Sequence, residues 1–133
     1  MNFNSSLTIW YSESKRDLPW RRSKNPYNIW LSEIILQQTQ VKQGLPYYEA
    51  FISKFSSIQD LANASETEVL KLWQGLGYYS RARNLHFSAK YITEHLGGVF
   101  PQNYKELLQL KGVGDYTASA IASICYEESV AVV

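Results

Sequence analysis

Apolar residues recur along this chain at the three- and four-residue intervals of a helix, and no stretch alternates polar with apolar long enough to propose a strand. The pattern predicts an all-α array of six to eight short helices. Residues 5 to 14 form the first, carrying Leu7, Trp10 and Tyr11, and it stops by the Leu18-Pro19 step because proline disfavours helix in the residue before it. A second begins near Pro26, whose fixed φ and missing N–H suit a first turn, and runs to about Leu36. A third spans roughly Val41 to Phe55, with Tyr47, Tyr48, Phe51 and Phe55 at helical spacing as core aromatics. Ser65 and Glu68 have the spacing of a capping box and open a helix through Trp73, which Gly75 and Gly77 end. A longer helix covers about Tyr79 to His95. Gly97, Gly98 and Pro101 then break the chain before a short helix near Tyr104 to Leu108 and a last one from about Tyr116 to Tyr126.

The second helix carries the first sign of chemistry. In WLSEIILQQTQV, residues 30 to 41, Glu33 is surrounded on the helix by Ile29, Trp30, Leu36 and Gln37, three apolar neighbours and one amide. Burial of a carboxylate raises its pKa, which is what a general acid working near neutrality requires; an ion pair with an arginine at a helix edge is the plainer reading. Gln37, Gln38, Thr39 and Gln40 follow, and their side chains suit either contacts to base edges or a solvated loop. Further on, LKGVGDYTA at 110 to 118 places Gly112 and Gly114 in a tight turn between two helices. Such a turn is either a bare αα connection or a phosphate site built from backbone amides at a helix N-terminus.

Length and charge narrow the class without naming it. The 133 residues, 45% of them apolar, suffice for one domain or one domain plus part of another. No apolar run approaches a membrane span and the first residues lack the features of a signal peptide, so a soluble, cytoplasmic chain with no membrane partner is expected. The single Cys125 excludes a disulfide framework or an all-cysteine metal site from these residues alone. Net charge is +1, so no global field points to nucleic acid. The distribution is less neutral: Lys15, Arg16, Arg21, Arg22 and Lys24 crowd around LPW, and Arg81, Arg83, His86 and Lys90 follow one helix among many tyrosines and tryptophans. That interleaving suits phosphate contact and base stacking, and equally an ordinary solvated surface.

Six stretches together carry a family resemblance: LPWR at 18–21, PYNIWLSEIILQQTQV at 26–41, PYYEAFISKF at 46–55, VLKLWQGLGYYSRARNLH at 69–86, GGVFP at 97–101 and LKGVGDYTASAIASI at 110–124. They cover most of the chain in order. The chain resembles the helix-hairpin-helix DNA glycosylases, and within them the branch that removes adenine mispaired with 8-oxoguanine. The resemblance implies a six-helix-barrel module at 26–133 with its helix-hairpin-helix motif at about 104–126, preceded by a segment at 1–25 on the side of a cluster domain. It implies double-stranded DNA with an A:8-oxoguanine or A:G mispair as partner, a base taken out of the stack, and monofunctional hydrolysis of its N-glycosidic bond. It implies too that Glu33 protonates adenine at N7 and then helps the attacking water, while Tyr116 supports the sugar where strand-cleaving relatives carry a lysine. Trp20, Arg21 and Leu36 would line the adenine pocket, Gln38 and Thr39 would approach the opposite base, and Tyr78 would intercalate from a loop shaped by Leu76. Lys111, Gly112, Val113 and Gly114 would meet phosphate, and Arg81, like Arg83, would touch phosphate or brace the hairpin.

Departures from the family pattern set further expectations. The aspartate that stabilises the sugar cation in the family would follow Val133 directly, and the four cysteines of a 4Fe-4S cluster and an 8-oxoguanine-recognition domain would follow later. Hence these residues alone are expected to be inactive and metal-free, and the full-length protein to carry the cluster and to be monomeric. Lys111 stands where the family has proline, and Asp115 brings a negative charge to the phosphate turn, or caps the helix after it. A thymine or other mismatch glycosylase, and a non-catalytic DNA-binding module, remain the alternatives.

Overall fold

A computed structural model describes residues 25–126. The expected helix at 5–14, the basic cluster around LPW and the segment after Tyr126 lie outside these residues. Seven helices follow one another: α1 (Pro26–Leu36), α2 (Val41–Lys54), α3 (Ile58–Asn63), α4 (Glu66–Trp73), α5 (Ser80–His95), α6 (Tyr104–Leu107) and α7 (Asp115–Tyr126). There is no strand among the described residues. Nor is any helix among them long and apolar enough to cross a membrane.

Helix α1 is the axis of the fold. Asn25 caps it, its side-chain oxygen accepting from the Tyr27 amide at 2.9 Å, and Pro26 takes the first turn. Every residue from Ile29 to Ile35 is buried, so the helix has almost no polar face, as expected where neighbours surround it. It packs on α2, α5 and α7. Gly44 lets α2 come close, because a Cβ there would stand 2.9 Å from Leu36 Cδ2. The Tyr27 hydroxyl donates to the Phe55 carbonyl at 2.6 Å and secures the far end of α2; its burial pushes the phenol pKa up. Trp30 meets Phe100, in the loop before α6, edge-on at 5.3 Å, and Phe51 of α2 meets Trp73 of α4 at 6.0 Å, all four within one hydrophobic core.

The capping box at Ser65 and Glu68 forms with both reciprocal hydrogen bonds. Helix α3, absent from the sequence expectation, has only six residues and buries Ile58 and Leu61. Ser57 caps it, accepting from the Asp60 amide at 3.2 Å. It packs along α5, as does α4, while α6 lies on α7. Helix α5 buries Arg81, Leu85, Ser88 and Ile92 along one stripe at spacings of four, three and four. The first member of that stripe is an arginine.

Candidate active site

Glu33 lies mid-helix in α1 and is 7% exposed. One turn on, Gln37 Nε2 donates to Thr117 Oγ1 at 3.4 Å, so the end of the helix that carries Glu33 is tied to the start of α7, beside Tyr116. Tyr116 itself is 48% exposed, in the first turn of α7 at the molecular surface. The fold thus brings a buried acid and an open phenol onto two packed helices 83 positions apart in sequence, by subtraction of 33 from 116.

The amide run after α1 is a turn, with Gln38 and Gln40 exposed and Leu36, Gln37 and Thr39 half-buried. Gln38 adopts φ 57° and Tyr78 φ 48°, and these are the only non-glycine residues with positive φ among the described residues. Left-handed backbone costs such residues about 1–3 kcal/mol and persists only where surroundings impose it. Tyr78 is 67% exposed at the tip of the Gly75–Tyr78 turn, whereas Leu76 is buried and anchors that turn from below. Tyr47 donates from its hydroxyl to the Gln74 carbonyl at 2.7 Å and fills the space where a Cβ on Gly75 would collide with it. Gln38 and Tyr78, expected as base-contacting residues, are therefore the exposed tips of two turns. Trp20 and Arg21 lie outside the described residues.

The sequence expectation for Arg81 is corrected. It is buried, and its guanidinium turns inward, with Nη1 donating to the carbonyls of Ile34 (3.4 Å), Ile35 (3.2 Å) and Gln37 and to Thr39 Oγ1 (3.3 Å), and Nη2 to the carbonyls of Leu76 (3.5 Å) and Gly77 (3.3 Å). The rings of Trp73 and Tyr78 flank it at 5.0 and 5.7 Å. With both terminal nitrogens committed to the protein, and Nε buried without a hydrogen-bond partner, it is not placed as a phosphate ligand. Burial lowers its pKa, against an opposing contribution from Tyr78. The basic stripe on α5 breaks up likewise. His86 is buried, with Nε2 2.8 Å from the Ala64 carbonyl, and its pKa is lowered, chiefly by burial. Arg83 pairs with Glu66 at 3.5 Å on the surface.

The hairpin forms as expected. Gly112 has φ 83° and lies against Asn84 of α5, where a Cβ would stand 3.1 Å from Asn84 Cβ. Ser88 Oγ donates to the Lys111 carbonyl at 3.1 Å, a second tie between the turn and α5. Val113 is a plug rather than a phosphate donor: its side chain is buried and its amide donates to the Leu110 carbonyl at 3.1 Å. Lys111 is exposed, its Nζ 4.8 Å from the Phe87 ring centroid. Asp115 is the first residue of α7 rather than its cap, and its carboxylate accepts from the Tyr104 hydroxyl at 2.8 Å. That hydrogen bond raises the Tyr104 pKa.

A 4Fe-4S cluster needs four thiolates, and these residues hold one, at Cys125. Among the described residues no three acidic, histidine or cysteine side chains group as metal ligands. The residues present do not fit the group.

Relatives share both the sequence and the arrangement. An adenine DNA glycosylase from Homo sapiens is 48% identical over 140 residues, covering 98% of this chain and 26% of that protein. One from Buchnera aphidicola subsp. Baizongia pistaciae is 46% identical over 122 residues, covering 91% of this chain and 35% of its own length. The chain thus spans about a quarter to a third of the curated relatives it matches. Among solved structures, a thermostable thymine-DNA glycosylase superposes with a TM-score of 0.79 at 30% identity, over 95% of this chain and 58% of that one. Endonuclease III in a non-covalent DNA complex shares the fold, with a TM-score of 0.73 at 19% identity over 96% of this chain and 62% of that one. Residues 31–129 match the HhH-GPD superfamily base excision DNA repair protein, and the chain belongs to that superfamily.

Proposed function

We propose that the protein containing these residues removes adenine mispaired with 8-oxoguanine or guanine from duplex DNA by monofunctional hydrolysis of the N-glycosidic bond. The observation that carries the reading is Glu33, buried in the central helix of a chain 48% identical to an adenine DNA glycosylase. Adenine leaves poorly unless protonated, and Glu33 is the carboxyl group that the buried helix supplies for that step. Glu33 delivers that proton to N7 and then orients the incoming water. Tyr116, a phenol rather than an amine, offers no Schiff base, so the strand stays intact. The second carboxylate that steadies the oxocarbenium-like sugar comes from the family's aspartate, outside these residues. Tyr78 wedges into the stack as the adenine leaves it, Gln38 and Thr39 face the opposite base, and the Gly112–Gly114 turn with Lys111 holds backbone phosphate. In the full-length protein we place a 4Fe-4S cluster on thiolates beyond this chain.

The test is release of free base by the full-length protein from duplexes carrying A:8-oxoguanine, A:G or T:G. Adenine release from the first two, falling at least about a hundredfold in Glu33→Gln with duplex binding retained, is the expected result. Undiminished release by the variant overturns the role of Glu33. Preferential release of thymine would favour the activity named for the solved structure at 30% identity.

A further inference from the structure

The amide turn after α1 and the Gly75–Tyr78 turn are far apart in sequence, yet one side chain grips both. We propose that Arg81 is a positioning residue that makes Gln38 and Tyr78 a single device, so that the residue meeting the opposite base and the residue wedging the stack move together. The guanidinium's planar fork suits this task. One terminal nitrogen faces the acceptors of the first turn, the other the carbonyls of the second. The carbonyls of Ile34 and Ile35 belong to the last turn of α1, where the helix dipole favours a cation, and Arg81 donates to both, adding to the bond that Ile34 accepts from the Gln37 backbone amide. The side chain of Gln37, at the C-cap position, is turned to Thr117 instead, and only its backbone N–H donates to Ile34. Arg81 therefore caps the helix that carries Glu33 as well as bracing the two turns.

The strained backbone supports the coupling. Both left-handed non-glycine residues occur in the turns that Arg81 holds, and nowhere else among the described residues. The Tyr78 ring rests by the guanidinium, and Trp73, on its other flank, donates from Nε1 to the Gly77 carbonyl at 3.0 Å. Tyr78 is thus held by its ring and through its neighbours' backbone, and displacing it disturbs the group that positions Gln37 and Thr39. Lysine in place of Arg81 keeps the charge and loses the fork, so it cannot hold both turns at once.

The inference rests on the adenine glycosylase reading for its consequence, but the coupling is measurable without DNA. Amide hydrogen exchange in the full-length protein would be compared among the parent, Tyr78→Ala, Arg81→Lys and the double variant. In the parent background, Tyr78→Ala should speed exchange across residues 37–40 by about tenfold. In the Arg81→Lys background it should leave those residues unchanged. Thr39→Val, which removes one acceptor of the guanidinium at little risk to folding, should speed exchange across residues 75–79 in the reverse direction. A rise confined to the substituted turn, or the same spread with lysine at 81, overturns the proposal. A catalytic arm reads the consequence: Gln38→Ala and Tyr78→Ala should lower kcat/KM non-additively with arginine at 81 and additively with lysine. A parent that releases no adenine sinks the glycosylase reading and leaves the exchange result standing.

Discussion

Gln37 Nε2 and Thr117 Oγ1, 3.4 Å apart, join the end of the helix that bears Glu33 to the helix that bears Tyr116. The bond is long and half-buried, which sets its scale. Gln37→Ala or Thr117→Val should each cost about 0.5–1.5 kcal/mol in urea unfolding, and the double variant less than the sum. Full additivity would mean that the two side chains do not share an interaction.

Gly75 and Gly77 separate two costs that a glycine can hide. Both have positive φ, at 101° and 76°, but a Cβ on Gly75 would run into Tyr47 Oη while one on Gly77 meets nothing within 4 Å. Gly77→Ala should destabilise by about 1–2 kcal/mol, the backbone term alone. Gly75→Ala should cost at least about 1 kcal/mol more, by thermal unfolding, and Tyr47→Phe should recover part of that excess.

His86 links stability to acid. Its ring Nε2 faces a carbonyl, which can only accept, so that nitrogen carries the proton of a neutral ring. Burial is the largest cause of its lowered pKa; Lys90 lowers it further, and Glu66 and the carbonyls of Ala62 and Ala64 oppose. The unfolded chain takes up a proton sooner than the folded one. The stability from this site is therefore fully present above the ordinary value of 6.5 and is lost as pH falls through the lower folded value. Stability measured from pH 8 to 5 should decline below 6.5 in the parent and more gently in His86→Gln.

Asp115 places a negative charge beside the hairpin turn proposed to hold phosphate, and the Tyr104 hydroxyl draws part of that charge away. Asp115→Asn should tighten duplex binding several-fold at low salt, and the gain should shrink as salt rises. Tyr104→Phe should weaken binding under the same conditions. Unchanged affinity in both variants would remove the hairpin from the phosphate-binding surface.

Where the chain wrote its punctuation in local chemistry, the helices were legible. Pro26, the Ser65–Glu68 box and the glycines from 75 to 98 set ends within one or two residues of those observed. Helix α3 was not, because six residues with two buried apolar side chains give no measurable period. The burial of Glu33 followed from its helical neighbours, whereas its tie to α7 depends on packing between distant segments. Arg81 misled because charge suggests surface. Its register with Leu85, Ser88 and Ile92 was the available signal, since a residue in a buried stripe is buried whatever its charge.

The surroundings of Arg81 also bear on the field outside the protein. Carbonyls and a hydroxyl engage its two terminal nitrogens, two aromatic faces flank it, and no acidic side chain pairs with it among the described residues. Dipoles solvate a charge without cancelling it, so a full positive monopole is fixed beneath the exposed tips of Gln38 and Tyr78. Inside the protein the low effective dielectric weakens its field less than water would, and outside it the usual ionic screening applies. A chain whose charges sum to +1 in this way presents a positive potential at one chosen place, fixed there by the fold instead of by a flexible surface lysine.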